Sequence, residues 1–298
     1  MGRAIAEASD AARRVFERAD AALGWSLSRL CFEGPQEELT LTANAQPAIV
    51  ATSIAALEAL REACPALALP AFALGHSLGE YSALVAAGAL RLEDAVRVVH
   101  LRGRAMQQAV PEGVGAMAAV LGGDADAVQA LCRDAAEGEV CQAANFNAPG
   151  QIVIAGHAAA IARASALASQ RKLKAKALNV SAPFHCALMA PAARALAEAL
   201  RGVEIGALSF PVICNVDAEP NSDAAQVSER LVRQVDSPVL WEQSVRRLAR
   251  EGTQRALEIG PGKVLAGLVR RIDKAIEVLG VSDPAEVEAA GKLLGAGA

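Results

Sequence analysis

Hydrophobic and polar positions alternate with helical spacing over most of this chain. Ile5, Ala8, Ala12, Val15, Phe16 and Ala19 line one side of an N-terminal segment and predict an amphipathic helix. A second helix is expected to start near Pro47, since proline suits a first turn, and to run through Ile49, Ile54, Leu57 and Leu60, with Pro65 beyond its end. Ala71 to Leu74 is a short apolar run closed by Gly75, the pattern of a buried strand. Helices follow at Ser77 to Ala87 and Leu92 to Ala109, with Gly88 and Pro111 as stops.

The texture changes near Gly113. Met117 to Leu121, Gln151 to Ala155 and Lys176 to Val180 predict strands, separated by helices at Asp124 to Ala136 and Ala158 to Gln170. Two βαβ-like pieces in so short a stretch indicate a small inserted α+β unit. Beyond it, Arg255 to Ile259 reads as a strand, Gly260-Pro261-Gly262 as a turn and Lys263 to Ile272 as a helix. The alternation predicts an α/β fold with a mostly parallel sheet between helical layers. The last residues, Gly295 to Ala298, are expected to fray.

Composition narrows the function. The 298 residues are 53% hydrophobic but only 3% aromatic, so stacking platforms for nucleic acid are not expected. A net charge of -4 offers no global attraction to phosphate backbones or anionic membranes. No uncharged apolar run is long enough to span a bilayer, and no leader peptide is apparent. Cys31, Cys64, Cys132, Cys141, Cys186 and Cys214 match no zinc spacing and read as reduced thiols of a cytoplasmic protein.

Three positions carry candidate chemistry. Gly75-His76-Ser77-Leu78-Gly79 is a G-x-S-x-G sequence between a predicted strand and helix, the setting of a nucleophile elbow in which the Leu78 backbone N–H can stabilise an oxyanion. It equally suits an ordinary turn with Ser77 as N-cap. Arg102 falls within the apolar stripe Ala95, Val98, Val99, Met106 and Ala109, opposite Glu93, Arg97, His100, Arg104 and Gln107. A guanidinium there calls for an internal ion pair, a side chain that snorkels outward, or a substrate carboxylate. Among four histidines, His185 stands in a loop after a predicted strand, where it can reach a serine elsewhere in the sheet or simply face solvent. His76 is expected to point away from the serine. No acid that would orient His185 is identifiable.

Taken together, these segments resemble bacterial malonyl-CoA:acyl carrier protein transacylases. The likeness runs through Gly75 to Glu80 (GHSLGE), Leu101 to Gln107 (LRGRAMQ), Asn145 to Gly156 (NFNAPGQIVIAG), Ala182 to Met189 (APFHCALM), Asn215 to Asp217 (NVD), Ser237 to Trp241 (SPVLW) and Glu258 to Leu265 (EIGPGKVL). The resemblance implies an α/β-hydrolase-like catalytic part, residues 1–112 and 182–298, and a small ferredoxin-like insertion, residues 113–181. It implies Ser77 as the acylated nucleophile, His185 as general base, Arg102 as the anchor of the malonyl carboxylate, and the Gln234 backbone carbonyl as the support of the histidine. Phe184 fits the malonyl-selective pattern rather than the methylmalonyl one. Malonyl-CoA and acyl carrier protein are the implied partners, with no metal and no cofactor. Family members begin with a short apolar strand and a G-Q-G-S-Q loop, and Met1-Gly2-Arg3 corresponds to residues just after it, so that first strand is expected to be missing from this sequence. An acyltransferase serving a polyketide synthase, a serine esterase and an inactive truncated paralogue are the alternatives. Arg171, Lys172, Lys174 and Lys176 form the densest basic run, a candidate docking patch or a solvated face.

Overall fold

Ser9 divides the first predicted helix in two. In the computed structural model, which describes residues 1–295, helices Arg3–Ala8 and Asp10–Leu23 meet at this residue. Ser9 is extended, and its hydroxyl accepts the Ala12 N–H at 3.1 Å. The apolar spacing continues through the break, so periodicity alone reads one helix where a serine cap makes two. Residues 296–298 of the expected frayed terminus lie outside the described residues, and Gly295 closes the helix Pro284–Gly295.

The second helix starts earlier than Pro47 implied and spans Thr42–Ala63. Proline has no N–H to give the carbonyl four residues back, which is that of Ala43. His100 fills the gap: its Nδ1 donates to the Ala43 carbonyl at 2.9 Å. Gly103 faces the same stretch of backbone. A Cβ there would lie 2.6 Å from the Thr42 carbonyl oxygen and 2.7 Å from the Ala43 Cα. Helix Leu92–Gln108 therefore crosses helix Thr42–Ala63 at backbone contact, with Arg102 beside the crossing.

The strands of the larger part pair mostly in parallel, but in two separate sheets. Ala73–Leu74 runs parallel to Val212–Ile213, which pairs antiparallel with Pro220–Asn221. Pro70, Pro211 and Pro220 flank or enter these ladders, and proline cannot donate to them, so each stays two residues long. Arg255–Ile259 and Glu277–Val281 form the other, parallel pair. A core of Val15, Phe16, Leu27, Leu60, Leu84, Val99, Leu196 and Leu231 joins the surrounding helices.

Residues 115–177 build a four-stranded antiparallel sheet in the order Cys141–Ala148, Gln151–His157, Gly115–Leu121, Lys174–Ala177. Cys141–Ala148 has no clear strand pattern in sequence, because small and polar residues dominate it. It is held by a tight Pro149-Gly150 turn to its neighbour, with Gly150 at φ 69°. One sheet face packs Val120, Ile152 and Ile154 against helices Ala125–Ala136 and Ala158–Gln170, through Val128, Leu131 and Ile161. The other face, with Met117, Ala144, Val153 and Ala155, packs on Phe184, Cys186 and Leu188. Pro183 closes over Gly115, where a Cβ would come within 2.3 Å of its ring. The small sheet thus seats the loop that carries His185.

Candidate active site

The elbow is enforced by backbone crowding. Gly75 approaches the next helix so closely that a Cβ would sit 2.0 Å from the Gly79 carbonyl carbon. Ser77 takes φ 50°, a left-handed conformation that non-glycine residues rarely adopt. Asn215 staples the turn from both sides: its Oδ1 accepts the Ser77 N–H at 2.6 Å and its Nδ2 donates to the Gly75 carbonyl at 2.7 Å. The helix beyond begins at Gly79 rather than at Ser77, with Leu78 as its N-cap residue.

Ser77 and His185, 108 positions apart, meet here: Ser77 Oγ lies 2.7 Å from His185 Nε2. His185 also has a left-handed backbone, φ 59°. Its Nδ1 lies 2.9 Å from the Gln234 backbone carbonyl. A carbonyl only accepts, so Nδ1 carries the proton and Nε2 is free to take the one from Ser77. Burial, followed by the nearby Arg102 guanidinium, pushes the imidazole pKa down to about 3. The ring is neutral at physiological pH, and a backbone carbonyl does the orienting that a carboxylate does in a catalytic triad.

Arg102 does not snorkel, and it joins no ion pair among the described residues. It is 2% exposed and donates to Gln46 Oε1 at 2.8 Å, Gln234 Oε1 at 2.9 Å and Ser77 Oγ at 3.1 Å. The guanidinium stands 5.6 Å from the Tyr81 ring centroid, and burial lowers its pKa. Its Nε has no hydrogen-bond partner among the described residues. Gln234, fully buried in helix Ala224–Asp236, therefore supports both His185 and Arg102. Its Nε2 donates to the Ser77 carbonyl at 2.9 Å and to Glu80 Oε2 at 2.8 Å.

Gln46, Asn215 and Glu80 belong to this cluster although sequence reasoning assigned them no role. Glu80 carried a signal: it is a carboxylate among Leu78, Tyr81 and Leu84 on an otherwise apolar helix. It is 1% exposed, and burial raises its pKa to about 7. Gln46 and Asn215 gave none beyond their neighbours. His76 does point away from Ser77, to Asn147 Oδ1 at 2.8 Å and toward the Trp241 ring. Arg171 is tied to Asp134 at 2.5 Å, while Lys174 and Lys176 stand exposed on the edge strand of the small sheet.

A serine hydroxyl bonded to a neutral imidazole, at a helix N-terminus and beside a buried cation, is an arrangement suited to serine-dependent acyl transfer on an α/β scaffold. The chain belongs to the acyl transferase domain family, whose description matches residues 1–293. It is 49% identical over 292 residues to the malonyl CoA-acyl carrier protein transacylase of Bacillus subtilis (strain 168), covering 97% of this chain and 91% of that protein. A solved acyl-carrier-protein S-malonyltransferase from Bartonella henselae superposes with a TM-score of 0.95 at 46% identity, over 99% of this chain and 95% of that one. A malonyl-transacylase solved in complex with its type II polyketide synthase acyl-carrier protein superposes with a TM-score of 0.94 at 41% identity, over 98% and 94%.

Proposed function

We propose that this chain transfers malonyl from malonyl-CoA to the phosphopantetheine thiol of an acyl carrier protein through a malonyl-Ser77 intermediate, supplying fatty-acid synthesis. The observation that carries this reading is the buried Arg102 guanidinium, 3.1 Å from the nucleophile and bonded to neutral oxygens alone. A cation so placed beside the reacting atom suits an acyl group that ends in a carboxylate.

His185 Nε2 takes the Ser77 proton as Oγ attacks the thioester carbonyl. The developing oxyanion faces the Leu78 N–H at the open end of the elbow helix. The imidazolium, stabilised by the Gln234 carbonyl, then returns the proton to the departing CoA sulfur. In the second half His185 deprotonates the carrier thiol, its sulfur attacks the acyl-serine carbonyl, and His185 returns the proton to the departing Ser77 Oγ. General-base catalysis of this kind contributes roughly 10²–10⁴-fold. A malonyl carboxylate on Arg102 also cancels the positive field that weakens His185 as a base, so the correct substrate improves its own catalyst.

Phe184, next in the chain to His185, carries the preference for malonyl over bulkier groups in this proposal. Residues 113–181 form, in this proposal, a unit distinct from 1–112 and 182–298. The reaction is placed in the cytoplasm, which suits the six free cysteines, and no helix among the described residues is long and apolar enough to cross a membrane. Mass spectrometry after incubation with malonyl-CoA tests the reading. One malonyl mass is expected on Ser77, and none on Ser77→Ala. Labelling that survives the substitution overturns the assigned nucleophile.

A further inference from the structure

Glu80 is a fully buried carboxylate that the chemistry above does not use. It lies one helical turn beyond the nucleophile, and Oε2 accepts from the Asn215 N–H at 3.0 Å and from Gln234 Nε2 at 2.8 Å. The Cys214 thiol also adjoins it. All of these donors are neutral. The charged and titratable groups facing it are Tyr81 on its own helix, Arg102 across the Gln234 amide, Cys214 and Asp217 on the segment after Val212–Ile213, and Arg230 on helix Ala224–Asp236. Asp217 and Arg230 pair with each other at 3.4 Å, which leaves Arg102 as the cation that lacks a carboxylate of its own.

The Gln234 amide spans the interval between the two. Its oxygen accepts from Arg102 at 2.9 Å, and its nitrogen donates to Glu80 at 2.8 Å. An amide polarised between a cation and an anion strengthens both bonds. We infer that Glu80 is the resting counter-charge of Arg102, relayed through Gln234, and that it takes up a proton from solvent when a substrate carboxylate reaches the guanidinium. This rests on the malonyl reading of the site. The empty site then holds one cation and one anion. Entry of a second carboxylate would leave a net negative charge in a dry cluster, which is very costly. Protonating Glu80 restores neutrality, and its burial already holds it near neutrality in titration. Its role is positioning: it sets the polarisation and orientation of the Gln234 amide, while the backbone and side chain of Gln234 touch His185 and Arg102.

The acylation step itself is proton-neutral, because the Ser77 proton leaves on the CoA sulfur. Any uptake therefore reports on the surrounding groups. The enzyme is mixed with malonyl-CoA in weakly buffered indicator solution near pH 7, with acyl-enzyme counted by mass. Acetyl-CoA, which has no carboxylate, serves as the comparison. Uptake of up to about half a proton per malonyl-enzyme is expected near pH 7, since Glu80 is already partly protonated at rest, with little per acetyl-enzyme. Glu80→Gln, the neutral isostere, is expected to become malonylated without the extra uptake. Equal uptake with both thioesters, or malonyl uptake that persists in Glu80→Gln, overturns the inference while leaving the malonyl reading intact. Absence of malonyl-enzyme overturns both. The malonyl-to-acetyl comparison in the wild type decides the matter even if Glu80→Gln does not fold.

Discussion

Replacing Arg102 by methionine separates binding from stability. The substitution removes three donated bonds and strands Gln46 Oε1 and Gln234 Oε1, at a cost of roughly 1–3 kcal/mol each. It also removes a cation that is 2% exposed and has no carboxylate in direct contact among the described residues. The desolvation penalty of such an ion is several kcal/mol. The two contributions are of similar size and opposite sign, so folding stability should change by no more than about 2 kcal/mol. In a protein of 298 residues that is a shift of roughly 3–4 °C at most. Malonyl transfer should suffer much more. A charge-assisted pair of about 1.5–3 kcal/mol corresponds to roughly 10- to 100-fold in kcat/KM. Acetyl transfer should be unchanged or faster. Calorimetry together with steady-state assays on both thioesters reads all three quantities. A fall in midpoint of more than about 10 °C would make the guanidinium a structural ion. Equal slowing of both substrates would remove its role in recognising the carboxylate.

Other consequences are more compact. Gly103→Ala forces a methyl to within 2.6 Å of the Thr42 carbonyl, so it should lower the melting temperature and the malonyl rate together, while Gly267→Ala, inside helix Val264–Ile272 where a Cβ meets nothing within 4 Å, should raise the melting temperature slightly and leave the rate unchanged. Glu80 should also appear in stability against pH. Its folded-state pKa is raised from 4.5 to about 7, so wild type should lose stability relative to Glu80→Gln as pH rises across that window, on the order of 3 kcal/mol, in chemical denaturation. The depressed His185 works in the opposite sense, lost as pH falls below its ordinary value of 6.5, and it cancels in the comparison with the variant. Reversing Lys174 and Lys176 to glutamate should raise the KM for carrier protein and leave that for malonyl-CoA unchanged; an unaltered carrier KM at low salt removes this edge strand from docking.

Much of the fold was legible because apolar spacing decides which segments pack. The helices at 92–108, 125–136 and 158–170 and the strand Arg255–Ile259 fall within a residue or so of where periodicity put them. Failures occurred where a single polar contact outweighs the pattern. The Ser9 hydroxyl splits a helix, and the His100 imidazole lets a helix continue through Pro47. Strand Cys141–Ala148 is held by its partner rather than by its own residues. At the site, Ser77 and Arg102 each showed a local anomaly that could be read from sequence, whereas His185 locally read as well as a solvent-facing loop residue and gained a role only through the resemblance. Their supports did not, because an amide or a backbone carbonyl acquires a role only when the chain closes on itself. Gln234 and Asn215 lie 157 and 138 positions from Ser77 in hydrogen-bonded contact with it.

The crossing at Gly103 constrains how this enzyme can acquire a new substrate. The two helices touch backbone to backbone there, and the His100 bond to the Ala43 carbonyl pins the crossing from one turn away. Arg102, next in the chain, has no freedom to slide deeper or shallower. Sliding the scaffold is closed to a longer or uncharged acyl chain, so adaptation is expected to proceed by exchanging whole side chains, the one at position 102 first. A laboratory lineage selected for neutral acyl groups should accordingly change specificity in abrupt steps, with Pro47 and Gly103 intact throughout.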